Sequence, residues 1–263
     1  MRDALDGAAT AIGAGGSDTA RLDAEVLLAH VLGIERTALF ADPERTVEGP
    51  AVRRYQDLVR RRAVERVPVA YLVGRRGFRH IELDVDPRVL VPRPETEHVV
   101  EAVVEVAREG ARVVDVGTGS GAIALALKDE RPDLQVTGSD VSADALAVAR
   151  GNGERLGFDV KWVLADLVPP GEWDVVVSNP PYVADGDSLP PELRHEPAGA
   201  LLAGPDGLDT LRRLVAAGAP LLVVEVGAGQ SGAVADAAAG AGYTRTETRS
   251  DLAGIERVVI AWR

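Results

Sequence analysis

Asn179-Pro180-Pro181-Tyr182 follows directly on the apolar run Val175-Val176-Val177-Ser178, and this junction is where the chain could do chemistry. Each proline lacks a backbone N–H and has a fixed φ, so two in succession end strand pairing. The chain must leave the end of a buried strand with Asn179 held on a stiff loop. The Asn179 side chain offers one carbonyl acceptor, and the backbone C=O of Pro180 offers a second. Two fixed acceptors side by side match a planar –NH2 group whose two hydrogens both need partners. Tyr182 adds a flat face for stacking. Taken alone, Asn-Pro also reads as a plain turn signal, so its meaning depends on what accompanies it.

Its companion lies upstream. Val113-Val114-Asp115-Val116-Gly117-Thr118-Gly119-Ser120-Gly121-Ala122 reads as a strand, a glycine turn and a helix start. Glycines let a backbone approach a ligand closely, and a helix N-terminus offers free N–H groups. Asp140 closes the next strand, where a carboxylate can accept both hydroxyls of a ribose. Gly117, Gly119 and Ala122 also satisfy the looser dinucleotide pattern, and a purely structural tight turn is a third reading. The spacing of Gly117, Gly119 and Gly121 favours an adenosylmethionine site. The combination decides it, because Asn-Pro-Pro-Tyr at a strand end has no task in hydride transfer and would face the methyl group in a methyltransferase.

The elements that must position these residues follow from periodicity. Residues 1 to about 75 read as helical: Leu22, Val26, Leu27 and Val31 recur at helical spacing, with Ser17 or Asp18 as a cap and Gly33 as a stop. Pro50 suits a first helical turn, and Pro68 ends that helix. Phe78 to Val91 alternates apolar and polar residues with Asp86-Pro87 as the turn, which predicts a β-hairpin linker over 76–93. Beyond it, helix 94–108, strand Arg112–Val116, helix 121–130, strand Gln135–Asp140, helix 142–156 and strand Val160–Leu164 alternate. Strand Asp174–Ser178, helix 206–217, strand Leu221–Val226, helix 230–240 and a terminal pair at Tyr243–Thr248 and Arg257–Trp262 complete the series. That alternation implies an α/β fold with a mostly parallel sheet covered on both faces.

Bulk properties exclude several classes. The chain has 263 residues, 46% hydrophobic and 27% charged, as expected of a globular protein with a sizeable core. No apolar run reaches the roughly 18 residues of a membrane span, and the N-terminus lacks a secretory pattern. The absence of cysteine excludes disulfides and thiolate chemistry; a cytoplasmic enzyme is expected. The net charge of −12 has the wrong sign for wrapping duplex DNA, so no direct nucleic-acid binding is expected. Against that trend, Arg53, Arg54, Arg60, Arg61, Arg62, Arg66, Arg75, Arg76 and Arg79 crowd one region, either as a solvated helix face or as a docking surface. The four histidines show no paired ligand spacing, and no metal is expected.

With these motifs in view, the sequence resembles the release factor glutamine N5-methyltransferases, the HemK or PrmC family, over nearly its whole length. The matching segments are Leu22 to Glu25 with Leu27 to His30, Pro68 to Tyr71 with Gly74, and Val91-Pro92-Arg93-Pro94-Glu95-Thr96-Glu97. They continue through Gly117 to Ile123, Asn179 to Tyr182, Glu196-Pro197, Gly207 to Asp209, Glu225 to Gly227 with Gln230, and Asp251 to Gly254 with Arg257. The tetrad alone is shared with amino-methyltransferases acting on adenine and cytosine in DNA; its coupling to the 92–97 segment is far more restrictive. Between Leu208 and Glu225 the chain is shorter than the family pattern.

The resemblance implies a helical substrate-binding domain over 1–75 and a Rossmann-like class I methyltransferase domain over 94–263, with seven strands and the last one antiparallel. It implies S-adenosylmethionine as methyl donor and, as partner and substrate, the glutamine of the Gly-Gly-Gln loop in peptide chain release factors. Asn179, Pro180 and Tyr182 are then the catalytic residues, with Pro181, Arg93 and Glu95 also meeting substrate; Arg93, Glu95 and Thr96 would close over the cofactor or guide the substrate loop. Gly117, Thr118, Gly119, Ser120 and Gly121 would line the methionine part of the cofactor, with Asn179 close by. Asp140 would hold the ribose, and Asp166 with Leu167 the adenine edge. The alternatives are a glutamine methyltransferase for a ribosomal protein, a nucleic-acid amino-methyltransferase, and a non-catalytic adapter.

Overall fold

A computed structural model describes residues 1–41 and 46–263 of the chain. It divides into two compact units: Met1–Gly74 together with Leu189–His195, and Arg75–Ser188 together with Glu196–Arg263.

The first unit is helical, with α1 (Arg2–Ala14), α2 (Ala20–Leu32), α3 (Ala38–Ala41), α4 (Pro50–Ala63) and α5 (Val69–Val73). Its core gathers Leu5, Ile12, Leu27, Leu28, Leu39 and Tyr55. Gly33 ends α2 in the left-handed conformation at φ 64, and Pro50 opens α4. The expected cap of α2 by Ser17 or Asp18 is not made. The Ser17 and Thr19 hydroxyls instead donate to the buried Asp23 carboxylate, both at 2.9 Å, and Arg62 Nε donates to the same group at 2.7 Å. The expected helical stretch of 1–75 includes residues 42–45, which lie outside the described residues.

Much of the arginine cluster is internally engaged. Arg62 and Arg66 both hold Glu192, from the segment that returns to this unit, and Arg60 pairs with Asp57 and Glu65. In the second unit Arg75 pairs with Glu82, while Arg79 pairs with Glu101 and Glu130.

The second unit opens with a hairpin, β1 (Arg75–Phe78) and β2 (Ile81–Asp84). Its turn is at Arg79-His80, several residues before the expected Asp86-Pro87. Arg79 takes φ 51, its N–H donates to Glu97 Oε1 at 3.2 Å, and its guanidinium pairs with Glu130. Asp86 makes a separate turn, accepting from Val89 N at 3.1 Å. The hairpin lies within the second unit and is not a free-standing linker.

A 3₁₀ turn (Pro94–Thr96) then leads into α6 (Glu97–Val106), β3 (Arg112–Val116), α7 (Ala122–Glu130), β4 (Gln135–Asp140), α8 (Ala143–Leu156), β5 (Lys161–Leu164) and β6 (Val175–Ser178). Two further 3₁₀ turns precede α9 (Asp209–Ala216), β7 (Leu221–Glu225), α10 (Ser231–Gly240), β8 (Arg245–Ser250) and β9 (Glu256–Trp262).

The seven-stranded sheet has the order β5-β4-β3-β6-β7-β9-β8. β5 to β7 are mutually parallel, and β9 runs antiparallel to β7. The central strands are apolar on both faces because helices cover both: Val113, Val114, Val175, Val176, Val177 and Val223 are all buried. The chain leaves β3 for β4 and β5 on one side and returns to β6 and β7 on the other. Such a reversal opens a crevice at the carboxyl ends of the two central strands. Val116 faces Ser178 in register there, so the loops beginning at Gly117 and Asn179 start side by side. Among the described residues no helix is long and apolar enough to cross a membrane.

Candidate active site

The crevice is a cleft of about 360 Å³, within the range of small-molecule sites. It is lined along one wall by Gly117, Gly119, Asp140 and Val141, and along another by Ser178, Asn179, Pro180 and Pro181. All its lining residues belong to the second unit.

Gly117 and Gly119 take φ 69 and 56, and no protein atom lies within 4 Å of where a Cβ at Gly117 would stand. The backbone bends around open space, as a loop does where a ligand meets main chain. The residues between the glycines turn the other way. Thr118 N donates to Ser139 O at 2.9 Å, and Thr118 Oγ1 donates to Asp115 Oδ2 at 2.6 Å. Ser120 is buried, and its carbonyl accepts from Asn152 Nδ2 at 3.0 Å. Gly121 caps α7 where a Cβ would stand 2.9 Å from Leu125 and 3.1 Å from Trp162. Thr118, Ser120 and Gly121 therefore shape the loop from behind and do not line the cleft, unlike the sequence-based expectation. Burial of Asp115 pushes its carboxyl up to about 7, opposed by the bonds from Thr118 and Ala124 and reinforced by nearby Asp140.

Asp140 is half-buried at the end of β4. Its Oδ2 accepts from Gly119 N at 3.0 Å and its Oδ1 from Ser142 N at 2.9 Å. Each carboxylate oxygen can accept twice, so one lone pair on each is left for a pair of hydroxyls. Ser142 in turn caps α8, accepting from Ala145 N at 3.1 Å. Beside Asp140, Val141 lines the cleft with 72% of its surface exposed, an apolar face on that wall. Asp166 and Leu167 reach the cleft, Leu167 with φ 69. Asp166 is already engaged, since its Oδ2 accepts from Arg213 Nη2 at 2.7 Å. The open backbone at Gly117, the spare acceptors of Asp140 and the bare face of Val141 together fit S-adenosylmethionine.

On the opposite wall Asn179 Nδ2 donates to Thr96 Oγ1 at 2.9 Å, and Thr96 Oγ1 donates to Glu225 Oε2 at 2.6 Å. Glu225 is buried at the end of β7, and its Oε1 accepts from the Tyr182 hydroxyl at 3.3 Å. Burial pushes the Glu225 carboxyl up to about 7; the Thr96 and Tyr182 bonds pull it down, and the charge of Glu95 pushes it further up. Burial, and then Glu225, raises the Tyr182 phenol.

Pro180 and Pro181 line the cleft, but Tyr182 does not. Its carbonyl accepts from Gln230 Nε2 at 3.0 Å, and it packs against the core cluster that includes Val224, Val226 and Val259. Arg93 is held away from the cleft by an ion pair to the buried Glu196, whose other oxygen accepts from Val91 N at 2.9 Å. Glu95 is half-buried and does not line the cleft.

Sequence reading assigned no role to Val141, Arg213 or Glu225, and grouped Thr96 with Arg93 and Glu95 as closing over the cofactor or guiding the substrate loop, without its link to Glu225. The signal for Val141 was available, since it follows the strand-end acid directly. Arg213 and Asp166 are 47 residues apart, and Thr96 and Glu225 are 129 apart, so neither pairing leaves a local trace.

Comparison with known proteins shows the family and the fold. Residues 3–74 match the PrmC N-terminal domain, and residues 79–195 match the methyltransferase small domain. A release factor glutamine methyltransferase of Deinococcus radiodurans is 41% identical, over 100% of this chain and 98% of its own length. One from Rhodopirellula baltica is 41% identical, over 93% of this chain and 90% of its own. A methyltransferase from Pyrococcus furiosus shares the fold at a TM-score of 0.53 and 18% identity, over 68% of this chain and 88% of that one. The sheet is thus that of a class I methyltransferase, and the chain belongs to the release factor glutamine methyltransferases.

Proposed function

We propose that the chain transfers a methyl group from S-adenosylmethionine to the side-chain amide nitrogen of the glutamine in the Gly-Gly-Gln loop of peptide chain release factors. It would act in the cytoplasm, with the helical unit helping to hold the protein substrate. One observation carries this reading: Asn179 and Pro180 line the same cleft as Gly117, Gly119 and Asp140, from adjacent strands whose ends are in register.

S-adenosylmethionine, when bound, supplies an electrophilic methyl group on a sulfonium. Gly117 and Gly119 admit its methionine part to the backbone, and the spare acceptors of Asp140 hold the ribose hydroxyls. Val141 supports the adenine, with Asp166 and Leu167 at its edge. An amide nitrogen is a poor nucleophile because its lone pair is delocalised, so position must do most of the work. Asn179 Oδ1 and the Pro180 carbonyl accept the two N–H bonds and aim the nitrogen at the methyl carbon. Such positioning is worth up to about 7–11 kcal/mol of barrier. The same acceptors strengthen as positive charge builds on nitrogen, and the proton leaves to water.

The test is incubation with labelled S-adenosylmethionine and, separately, a release factor, a ribosomal protein and DNA. Label on the release factor, recovered as N5-methylglutamine, is expected. Label on the ribosomal protein or DNA instead would overturn the reading.

A further inference from the structure

An asparagine amide has nearly the same shape either way round, yet only one orientation suits an –NH2 guest. Oδ1 toward the cleft accepts from it; Nδ2 toward the cleft would set hydrogen against hydrogen. The direction is decided by a chain of bonds that begins outside the cleft. Ionised Glu225 carries no proton and can only accept. Thr96 Oγ1, 2.6 Å from Glu225 Oε2, must therefore spend its single hydrogen there. That leaves the hydroxyl only lone pairs for Asn179, 2.9 Å away, so Nδ2 turns toward Thr96 and Oδ1 is released to the guest.

Two elements hold this relay in place. Ser178 faces Val224 in register, so the next residues, Asn179 and Glu225, leave β6 and β7 side by side. Thr96 closes the 3₁₀ turn that begins at Pro94. The far oxygen of Glu225 is anchored by the Tyr182 hydroxyl at 3.3 Å.

We propose that Glu225 and Thr96 are positioning residues that set which end of the Asn179 amide faces the substrate, through a one-way hydroxyl relay. Tyr182 then serves the reaction as the anchor of Glu225 from outside the cleft lining. This rests on the proposed glutamine-methylating activity, in which Asn179 must present an acceptor.

The test uses Thr96→Val, which keeps the shape and removes the relay, and Thr96→Ser, which restores the hydroxyl. Thr96→Val is expected to lower kcat for the release factor by about 10- to 100-fold. KM and the affinity for S-adenosylhomocysteine should stay within about twofold, and Thr96→Ser should regain most of kcat. The chain has only two asparagines, so selective 15N labelling isolates their side-chain amides. Asn152 Nδ2, bonded to Asp84 O and Ser120 O, serves as the internal reference. Slow exchange of one Asn179 amide proton is expected in the wild type and Thr96→Ser, and fast exchange in Thr96→Val, with Asn152 unchanged. Wild-type kcat in Thr96→Val, or equal impairment in Thr96→Ser, would overturn the relay. If Thr96→Val fails to fold, the wild-type spectrum decides, because an Asn179 amide exchanging as fast as a free one has no partner. If the wild type leaves the release factor unlabelled, the substrate reading fails, while the amide exchange still judges the relay.

Discussion

Two loops meet at the head of the sheet, and they equip the cleft by opposite means. The Gly117–Gly121 loop, after β3, offers the ligand its main chain and turns its own side chains, Thr118 and Ser120, into the protein. The Asn179–Tyr182 loop, after β6, would on the proposed reading offer a side-chain oxygen and a proline carbonyl, and it ties the Asn179 amide and the Tyr182 hydroxyl to Glu225, the former through Thr96. The first loop works by shape, so a substitution there should harm whatever needs the space. The second works by the identity of single atoms, so a substitution there should harm the reaction more than the binding.

The largest effect expected from this contrast is at Asn179. Asn179→Ala removes one of two acceptors where charge develops, a loss that in comparable sites costs about 10²–10³-fold in kcat. Calorimetric affinity for S-adenosylhomocysteine should change by less than about threefold. Equal losses in affinity and turnover would erase the distinction between the loops.

The glycine loop sharpens the comparison from the other side. At Gly119, φ is 56 and the nearest atom to a new Cβ is Gly117 O at 4.0 Å, so Gly119→Ala meets backbone strain without a clash. The left-handed region costs a side-chain-bearing residue about 1–2 kcal/mol. We expect about tenfold weaker cofactor binding with kcat at saturation largely kept. Gly121→Ala, at φ 85, adds to similar strain a Cβ pressed against Leu125 and Trp162, and should lower the melting temperature further than Gly119→Ala does. A melting-temperature loss confined to Gly119→Ala would reverse the assignment.

These two glycines also mark how far the sequence could be read. Strands β3 and β4 have the bounds that periodicity predicts, and the loops that follow β3 and β6 were legible because glycines and prolines write their backbone geometry into the chain. Which way Thr118 and Ser120 point was not legible. Positive φ at the flanking glycines rotates them off the cleft face, and spacing alone does not record φ. Tyr182 is a second instance: a ring next to two prolines suggests stacking, but a buried carboxylate one strand away captures its hydroxyl. Glu225 itself reads as the acid next to the end of an apolar strand predicted over Leu221–Val226, and only sheet order brings it beside Asn179.

A pH dependence separates the loops next. Glu225 is faced by Thr96 and Tyr182 and by the charges of Glu95 and Arg257, and burial above all pushes its carboxyl up to about 7. Once protonated, Glu225 can donate to Thr96, and the direction of the relay is no longer unique. Turnover under saturating substrates should therefore fall as pH drops through about 7, by up to about tenfold per unit where ionisation limits the rate. Stability runs the other way. A carboxyl whose folded value is raised from 4.5 to about 7 stabilises the fold fully below the lower value, and that contribution is lost as pH rises through the upper one. Asp115, raised from 3.8 to about 7, adds to the same trend. Glu225→Gln should flatten the turnover profile and remove only its own share of the stability profile, leaving that of Asp115, whereas a turnover profile unchanged by it would remove Glu225 from the relay.

The smallest effect is expected at Asp166, on the far rim of the cleft. Sequence position suggests that its carboxylate accepts from the adenine amino group, yet it is exposed and already paired with Arg213 at 2.7 Å. An exposed ion pair is worth roughly 0–1 kcal/mol, so Asp166→Asn should leave the melting temperature unchanged and weaken the cofactor by no more than about threefold. The contrast with Arg213→Ala decides what the carboxylate does. If Arg213 competes with the ligand for Asp166, removing the arginine tightens cofactor binding. If Arg213 orients Asp166 toward the ligand, both substitutions weaken binding alike, and the far rim then works, like the Asn179 loop, by single atoms held in place from outside the cleft.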